Sequence, residues 1–315
     1  MMQTRVDALL RRVAASRDAV APGADRLVRH VVAFSGGVDS SLAAALVHRV
    51  FPEASAACLG VSPSLSAEQH VQARDVARHI GISLWECSTR ESEHAAYVAN
   101  KGQSCYYCKT TLYTTIEDVA QFAMTRINEA QQESRRPFLP KPVIYNGTNA
   151  DDLKDPTRLG LVAAKEFDVQ SPLDRLSKTE VRETAKYLGL PNWNAAASPC
   201  LRSRLQFGIE ATERHLKQVE AAEQFIRRTL HLRSDMNMRV RFLVGQRAAV
   251  ELDPAALARA HELSSAIHQE LQRLGFRGVD IRPFRSGSLS GYQAAVTIDH
   301  HVSAKSTPLT TAGSR

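Results

Sequence analysis

Residues Val31 to Ser41 read VVAFSGGVDSS, an apolar run that turns at once into paired glycines and then into a new apolar periodicity at Leu42, Leu46 and Val47. Four consecutive apolar residues followed by a turn signal and a helical repeat predict a buried strand, a tight loop and a helix. Two glycines let the backbone bring its N–H groups close to phosphate oxygens, and the helix start behind them favours negative charge. Ser35 and Ser40 add hydroxyl donors, and Asp39 offers a hard carboxylate oxygen for Mg²⁺ or, in a purely structural role, a first-turn acid that complements the helix dipole. The segment has neither the lysine of a Walker loop nor a G-x-G-x-x-G fingerprint.

Outward from this loop, strands and amphipathic helices alternate. Strands are expected at Ala56 to Val61, Ile82 to Glu86 and Val143 to Asn146, with helices carrying Val71, Val76 and Ile80, and Leu112, Ile116 and Val119. This alternation predicts an α/β fold, a parallel sheet with helices on both faces and ligands at the carboxyl ends of its strands. Ser177 and Glu180 form an S-x-x-E box opening a helix that Gly189 and Pro191 close. The polar stretch Asn128 to Pro142 reads as a surface insertion. From about Gly208 the pattern becomes helix, strand, strand, helix, strand, which predicts a small α+β domain. The expected division is 1–207, 208–292 and a flexible tail over 293–315.

The chain has 315 residues, 43% hydrophobic and 23% charged, with a net charge of +7. These values fit a soluble enzyme with an anionic partner. Met1 to Arg12 is polar and charged and no eighteen-residue apolar run is present, so a cytoplasmic location without a membrane partner is expected.

Five cysteines, an odd number, argue for metal binding or catalysis over a disulfide framework. Cys58 and Cys87 lie in apparent strands and read as core. Cys105 and Cys108 sit in C-Y-Y-C-K, and Cys200 in SPCLRSR, on another loop at the same sheet edge. Three thiolates are too few for a closed zinc site but sufficient for a four-iron cluster with one open iron, and plain thiols are the remaining reading. Lys109, Arg202 and Arg204 place positive charge beside these cysteines. Arg239 and Arg241 alternate with Val240 and Phe242, so both guanidinium groups leave one strand face, as a phosphate fork or as a solvated sheet face.

SGGVDS matches the ATP pyrophosphatases, the PP-loop family with its adenine nucleotide alpha hydrolase-like fold. Together with VSPSLS, CYYCK, NGTNADD, SPCLRSR, RVR and RSGSL, it resembles the LarE-type sulfurtransferases over Val31 to about Leu289. The resemblance implies ATP, Mg²⁺, adenylation of a pyridinium biscarboxylic acid mononucleotide, and conversion of its carboxylate to a thiocarboxylate for a nickel-pincer nucleotide cofactor. By position, it implies that Ser35, Gly36, Gly37, Asp39 and Ser40 hold pyrophosphate, that Ser62, Gly147 and Thr148 border the adenosine, and that Lys109, Arg239 and Arg241 hold the substrate phosphate. Glu223 and Glu251 match acidic residues facing the site. The three-cysteine pattern implies a 4Fe-4S subgroup with Cys105, Cys108 and Cys200 as ligands and a sulfide donor, in contrast to members that sacrifice the SPCL cysteine. A homo-oligomer is implied. The competing readings are a tRNA thiolation enzyme and a non-enzymatic nucleotide binder with a zinc staple. A nucleic-acid partner is not expected, because neither an RNA-binding module nor a second C-x-x-C is found.

Overall fold

A computed structural model describes residues 2–15, 28–130, 141–155 and 158–289. The expected flexible tail over 293–315 lies outside them. In chain order the elements are α1 (Met2–Ala14), β1 (His30–Phe34), α2 (Val38–Val50), β2 (Ser55–Val61), α3 (Ala67–Ile80), β3 (Ser83–Ser88), α4 (Ala95–Val98), α5 (Ser104–Ala130) and β4 (Val143–Tyr145). They continue as α6 (Ala150–Leu153), α7 (Gly160–Glu166), α8 (Lys178–Tyr187), α9 (Glu213–Thr229), β5 (Met238–Leu243), β6 (Arg247–Leu252), α10 (Pro254–Glu262), α11 (Ser264–Arg273) and β7 (Gly278–Pro283).

The first sheet is fully parallel in the order β3-β2-β1-β4. Parallel neighbours require crossovers, and the helices that make them cover both faces. Because side chains alternate along a strand, β1 sends Val32 and Phe34 to one face and Val31 and Ala33 to the other. The first pair packs with α1, α2, α3 and α8 through Leu9, Leu42, Leu46, Ala73 and Val181. The second pair packs with α5 and α7 through Leu112, Ile116 and Ala163. Cys58 and Cys87 lie in this second layer, both buried, with their sulfurs 3.5 Å apart. They are core, as the sequence indicates.

The capping box opening α8 forms as read: Ser177 Oγ accepts the Glu180 N–H, and the Glu180 carboxylate accepts the Ser177 N–H. The polar run at Asn128 departs from expectation, since α5 continues to Ala130 before the undescribed segment begins.

The second sheet has the order β5-β6-β7, with β5 antiparallel and β7 parallel to β6. The single helix expected between β6 and β7 is two, α10 and α11, broken at Leu263. The core under this sheet also takes in Tyr97, Leu201 and Leu205 from the chain ahead of residue 208. The two sheets are therefore joined by packed side chains on the side where Cys200 lies.

Candidate active site

The loop Ser35–Gly37 follows the carboxyl end of β1, Ser62 follows that of β2, and Gly147 and Thr148 follow that of β4. Parallel register brings these three strand ends to one edge. Gly36 has φ +72°, and a Cβ there would lie 2.7 Å from Ala73 Cα. Gly147 is as tight, because its Cβ would lie 2.6 Å from both Asp39 C and Ser40 N. Both positions thus require glycine, the first for conformation and space, the second for close backbone approach.

Within the loop, Ser40 Oγ donates to the Gly37 carbonyl at 3.0 Å, and Ser41 Oγ does so at 2.9 Å. Ser35 and Ser40 hydroxyls meet at 3.1 Å. Asp39, at the first turn of α2, accepts Asn149 Nδ2 at 3.1 Å and pairs with the Lys178 ammonium. Asn149 in turn caps α6, accepting the Asp151 and Asp152 N–H groups. Lys178 opens α8, and its backbone N–H donates to Asp151 at 2.7 Å, which with the Lys154 ammonium holds that carboxyl below its ordinary range. The strand-end loop thus gathers glycine N–H groups, two hydroxyls, one carboxylate and one ammonium. Sequence reasoning missed Asn149 and Lys178, although NGTNADD and SKTE both carried the residues.

The sulfur-bearing residues share a second neighbourhood. Cys105 and Cys108 lie on the first turns of α5, and Cys200 precedes a short 3₁₀ helix, Leu201–Arg204. Arg202 Nη2 donates to Cys105 Sγ at 3.0 Å while its Nη1 donates to Asn100 Oδ1 at 2.8 Å. Asn100 is buried with φ 52° and ties this region down by donating to the Gln206 and Ile209 carbonyls, each at 3.1 Å. Burial works against the charge of both cations, but Tyr113 and then the Cys108, Cys105 and Cys200 sulfurs outweigh it at Lys109, as Cys105, Cys200, Tyr97 and Cys108 do at Arg202, and both are held above their ordinary values. The Cys108 thiol is pushed up to about 12, first by burial, with Lys109 pulling the other way. A thiol in that range is about one ten-thousandth ionised at pH 8. Timed iodoacetamide labelling with peptide mapping at pH 8 should therefore find exposed Cys105 modified long before Cys108. Equal rates would contradict this burial.

The expected 4Fe-4S site is not shown. Among the described residues no three His, Cys, Asp or Glu side chains are gathered closely enough to hold a metal ion. Cys105 is exposed and engaged by Arg202. The three thiols have the donor chemistry that such a group takes.

Arg239 and Arg241 also differ from expectation. They do leave one face of β5, but that face is covered, and both are buried. Arg241 Nε pairs with Glu251 at 2.9 Å and its Nη1 donates to the Ser203 carbonyl at 3.2 Å. Arg239 donates to the Met238 and Ala197 carbonyls. Arg204, paired with Glu223 at 2.9 Å, donates to the Pro199 and Cys200 carbonyls. Three buried arginines thus grip the loop that carries Cys200. Burial, with repulsion from Arg204 and Arg241, pushes Arg239 down to about 10.

The two neighbourhoods are linked. The Ser64 carbonyl, on the loop after β2, accepts the Leu201 N–H at 2.9 Å, and its hydroxyl bonds the buried Tyr97 hydroxyl.

A family model for asparagine synthase matches residues 14–143. The chain is 35% identical over 274 residues to an uncharacterised protein of Synechocystis, covering 84% of this chain and 92% of that one. It is 30% identical over 269 residues to the pyridinium-3,5-bisthiocarboxylic acid mononucleotide synthase of Lactiplantibacillus plantarum, covering 84% of this chain and 90% of the relative. The chain belongs to the LarE family. A GMP synthase of Corynebacterium jeikeium is 28% identical over 214 residues, covering 64% of this chain and 40% of that protein. LarE membership and the PP-loop domain together make the chain an ATP-using enzyme. No helix among the described residues is long and apolar enough to cross a membrane.

Proposed function

We propose that this enzyme adenylates a carboxylate of a pyridinium biscarboxylic acid mononucleotide, releases pyrophosphate, and converts the acyl adenylate to a thiocarboxylate in nickel-pincer nucleotide cofactor biosynthesis. The observation that carries the reading is the hydrogen bond from the Leu201 N–H to the Ser64 carbonyl, which joins the loop after β2 to the segment that carries Cys200, beside the contact of Arg202 with Cys105.

ATP supplies the leaving group. The loop N–H groups, Ser35 and Ser40 take the pyrophosphate, Asp39 holds Mg²⁺ on it, and Lys178 brings a cation to the same oxygens. Ser62, Gly147 and Thr148, at neighbouring strand ends, border the adenosine. Lys109 receives the mononucleotide phosphate, and Arg239 and Arg241, behind the Cys200 loop, add positive charge on that side. Glu223 and Glu251 act as the ion-pair partners that order these arginines.

With the carboxylate activated as a mixed anhydride, attack by a sulfur nucleophile expels AMP. A sulfide held at the Cys200 loop supplies that sulfur, so the new C–S bond forms as the C–O bond to AMP breaks and no carbon–sulfur bond of Cys200 is cleaved. Gathering a four-iron cluster on the three thiols would require Arg202 to give up Cys105. Iron and acid-labile sulfide in anaerobically purified protein would reveal such a rearrangement.

Incubation with ATP, Mg²⁺ and the mononucleotide should yield pyrophosphate and AMP in equal amounts. ADP and inorganic phosphate as products would overturn the proposal.

A further inference from the structure

The Gly36 carbonyl is held from two sides. Gln72 Nε2, from α3, donates to it at 2.9 Å, and Asn192 Nδ2, from the segment after α8, donates at 2.8 Å. The same Asn192 nitrogen lies 3.0 Å from Ser41 Oγ, whose proton goes to the Gly37 carbonyl. Asn192 is buried, and its sequence distance from Gly36 is 156 residues.

A trans peptide points its C=O and N–H in opposite directions. Fixing the Gly36 oxygen toward Gln72 and Asn192 therefore fixes the Gly37 N–H toward the opposite side, where Ser35 Oγ lies 3.4 Å away. Between two glycines this plane has little intrinsic preference and is free to flip, which would aim a carbonyl oxygen at the anion in place of an N–H. The Gly37 carbonyl is likewise saturated, by the Ser40 and Ser41 hydroxyls and by the Ser41 N–H at 3.0 Å. Both carbonyls of the turn are thus occupied by donors of the protein, so neither is free to turn toward an anion.

We infer that Asn192 and Gln72 are positioning residues for pyrophosphate: by clamping the Gly36 carbonyl they hold the Gly36–Gly37 peptide in its anion-accepting orientation. The inference rests on the reading of this loop as the pyrophosphate cradle. Neither side chain touches the ligand. Their effect is confined to the phosphate end of ATP.

The test compares binding of inorganic pyrophosphate and of AMP to the full chain, by calorimetry, for the wild type and for Asn192→Ala, Asn192→Asp and Gln72→Ala. Loss of one well-formed hydrogen bond to the carbonyl is expected to weaken pyrophosphate about tenfold while AMP affinity stays unchanged. Asn192→Asp, which places an acceptor against the carbonyl, should weaken it further. Gln72→Ala removes the other donor, so the test survives if an Asn192 variant does not fold. Unchanged pyrophosphate affinity in the folded variants would overturn the clamp, and so would a parallel loss of pyrophosphate and AMP, which marks a general structural role. A wild-type chain that binds AMP but not pyrophosphate would overturn the cradle itself, and the clamp with it.

Discussion

Gly36→Ala is expected to reduce ATP-dependent pyrophosphate release by at least about a hundredfold, the scale on which misplacing a positioned reactant by about 1 Å acts. Two costs coincide at this position. An L-residue at φ +72° is strained, by roughly 1–2 kcal/mol. The added Cβ would also meet Ala73 Cα at 2.7 Å, and that atom is helix backbone that cannot swing aside. The loop must then move away from α3, carrying its N–H groups off the pyrophosphate. Since the strain is local, the variant should fold, with circular dichroism close to wild type and activity lost. Gly147→Ala is a companion case, because its Cβ would push against the Asp39–Ser40 peptide directly. Wild-type turnover in either variant would show that the cradle does not bind the reacting phosphates.

Glu251→Ala is expected to cost about 3–5 kcal/mol of stability, the range for breaking a buried ion pair from one side. Glu251 is 1% exposed and accepts from Arg241 at 2.9 Å, from Arg282 at 2.7 Å and from Ser288 at 3.1 Å. Its removal leaves the Arg241 guanidinium buried without a carboxylate while Arg239, Arg204 and Arg227 still repel one another nearby. Urea denaturation followed by far-ultraviolet circular dichroism reads this as a large drop in midpoint. Saturating inorganic phosphate should recover part of it, since an anion among the arginines replaces the missing charge. A midpoint within error of wild type would mean that the pair is open to solvent.

Much of this architecture is written locally. The run Val31 to Phe34 predicts a strand buried on both faces, and the sheet places it at the centre-side position between β2 and β4. Ser177 and Glu180 lie three residues apart and form their box as read, because a capping motif needs no partner beyond its own turn. What was not legible is long-range. Asp39 meets Asn149 and Lys178 across 110 and 139 residues, and no periodicity announces such a contact.

Arg239 and Arg241 show how a correct pattern can mislead. Period-two alternation assigns them to one face of β5, but only the tertiary structure reveals that the Cys200 loop covers that face. At the start of the polar stretch, Asn128, Glu129 and Ala130 still belong to α5, since Glu and Ala are good helix formers, and residues 131–140 lie outside the described ones. At α10 and α11 the apolar spacing of Leu257, Ala260, Leu263 and Ile267 runs through the break, leaving no signal of it. For the cysteines, spacing in the chain showed which thiols share a neighbourhood, and it could not show that Arg202 stands beside Cys105.

The most direct measurement is a single-turnover reaction of anaerobically prepared enzyme with ATP and the pyridinium mononucleotide, following AMP and the mass of the mononucleotide together. The account predicts that each carboxylate oxygen exchanged for sulfur is matched by one AMP, and that Cys200→Ala still releases pyrophosphate but transfers no sulfur. Sulfur incorporation without AMP, or at the wild-type rate in Cys200→Ala, would contradict it.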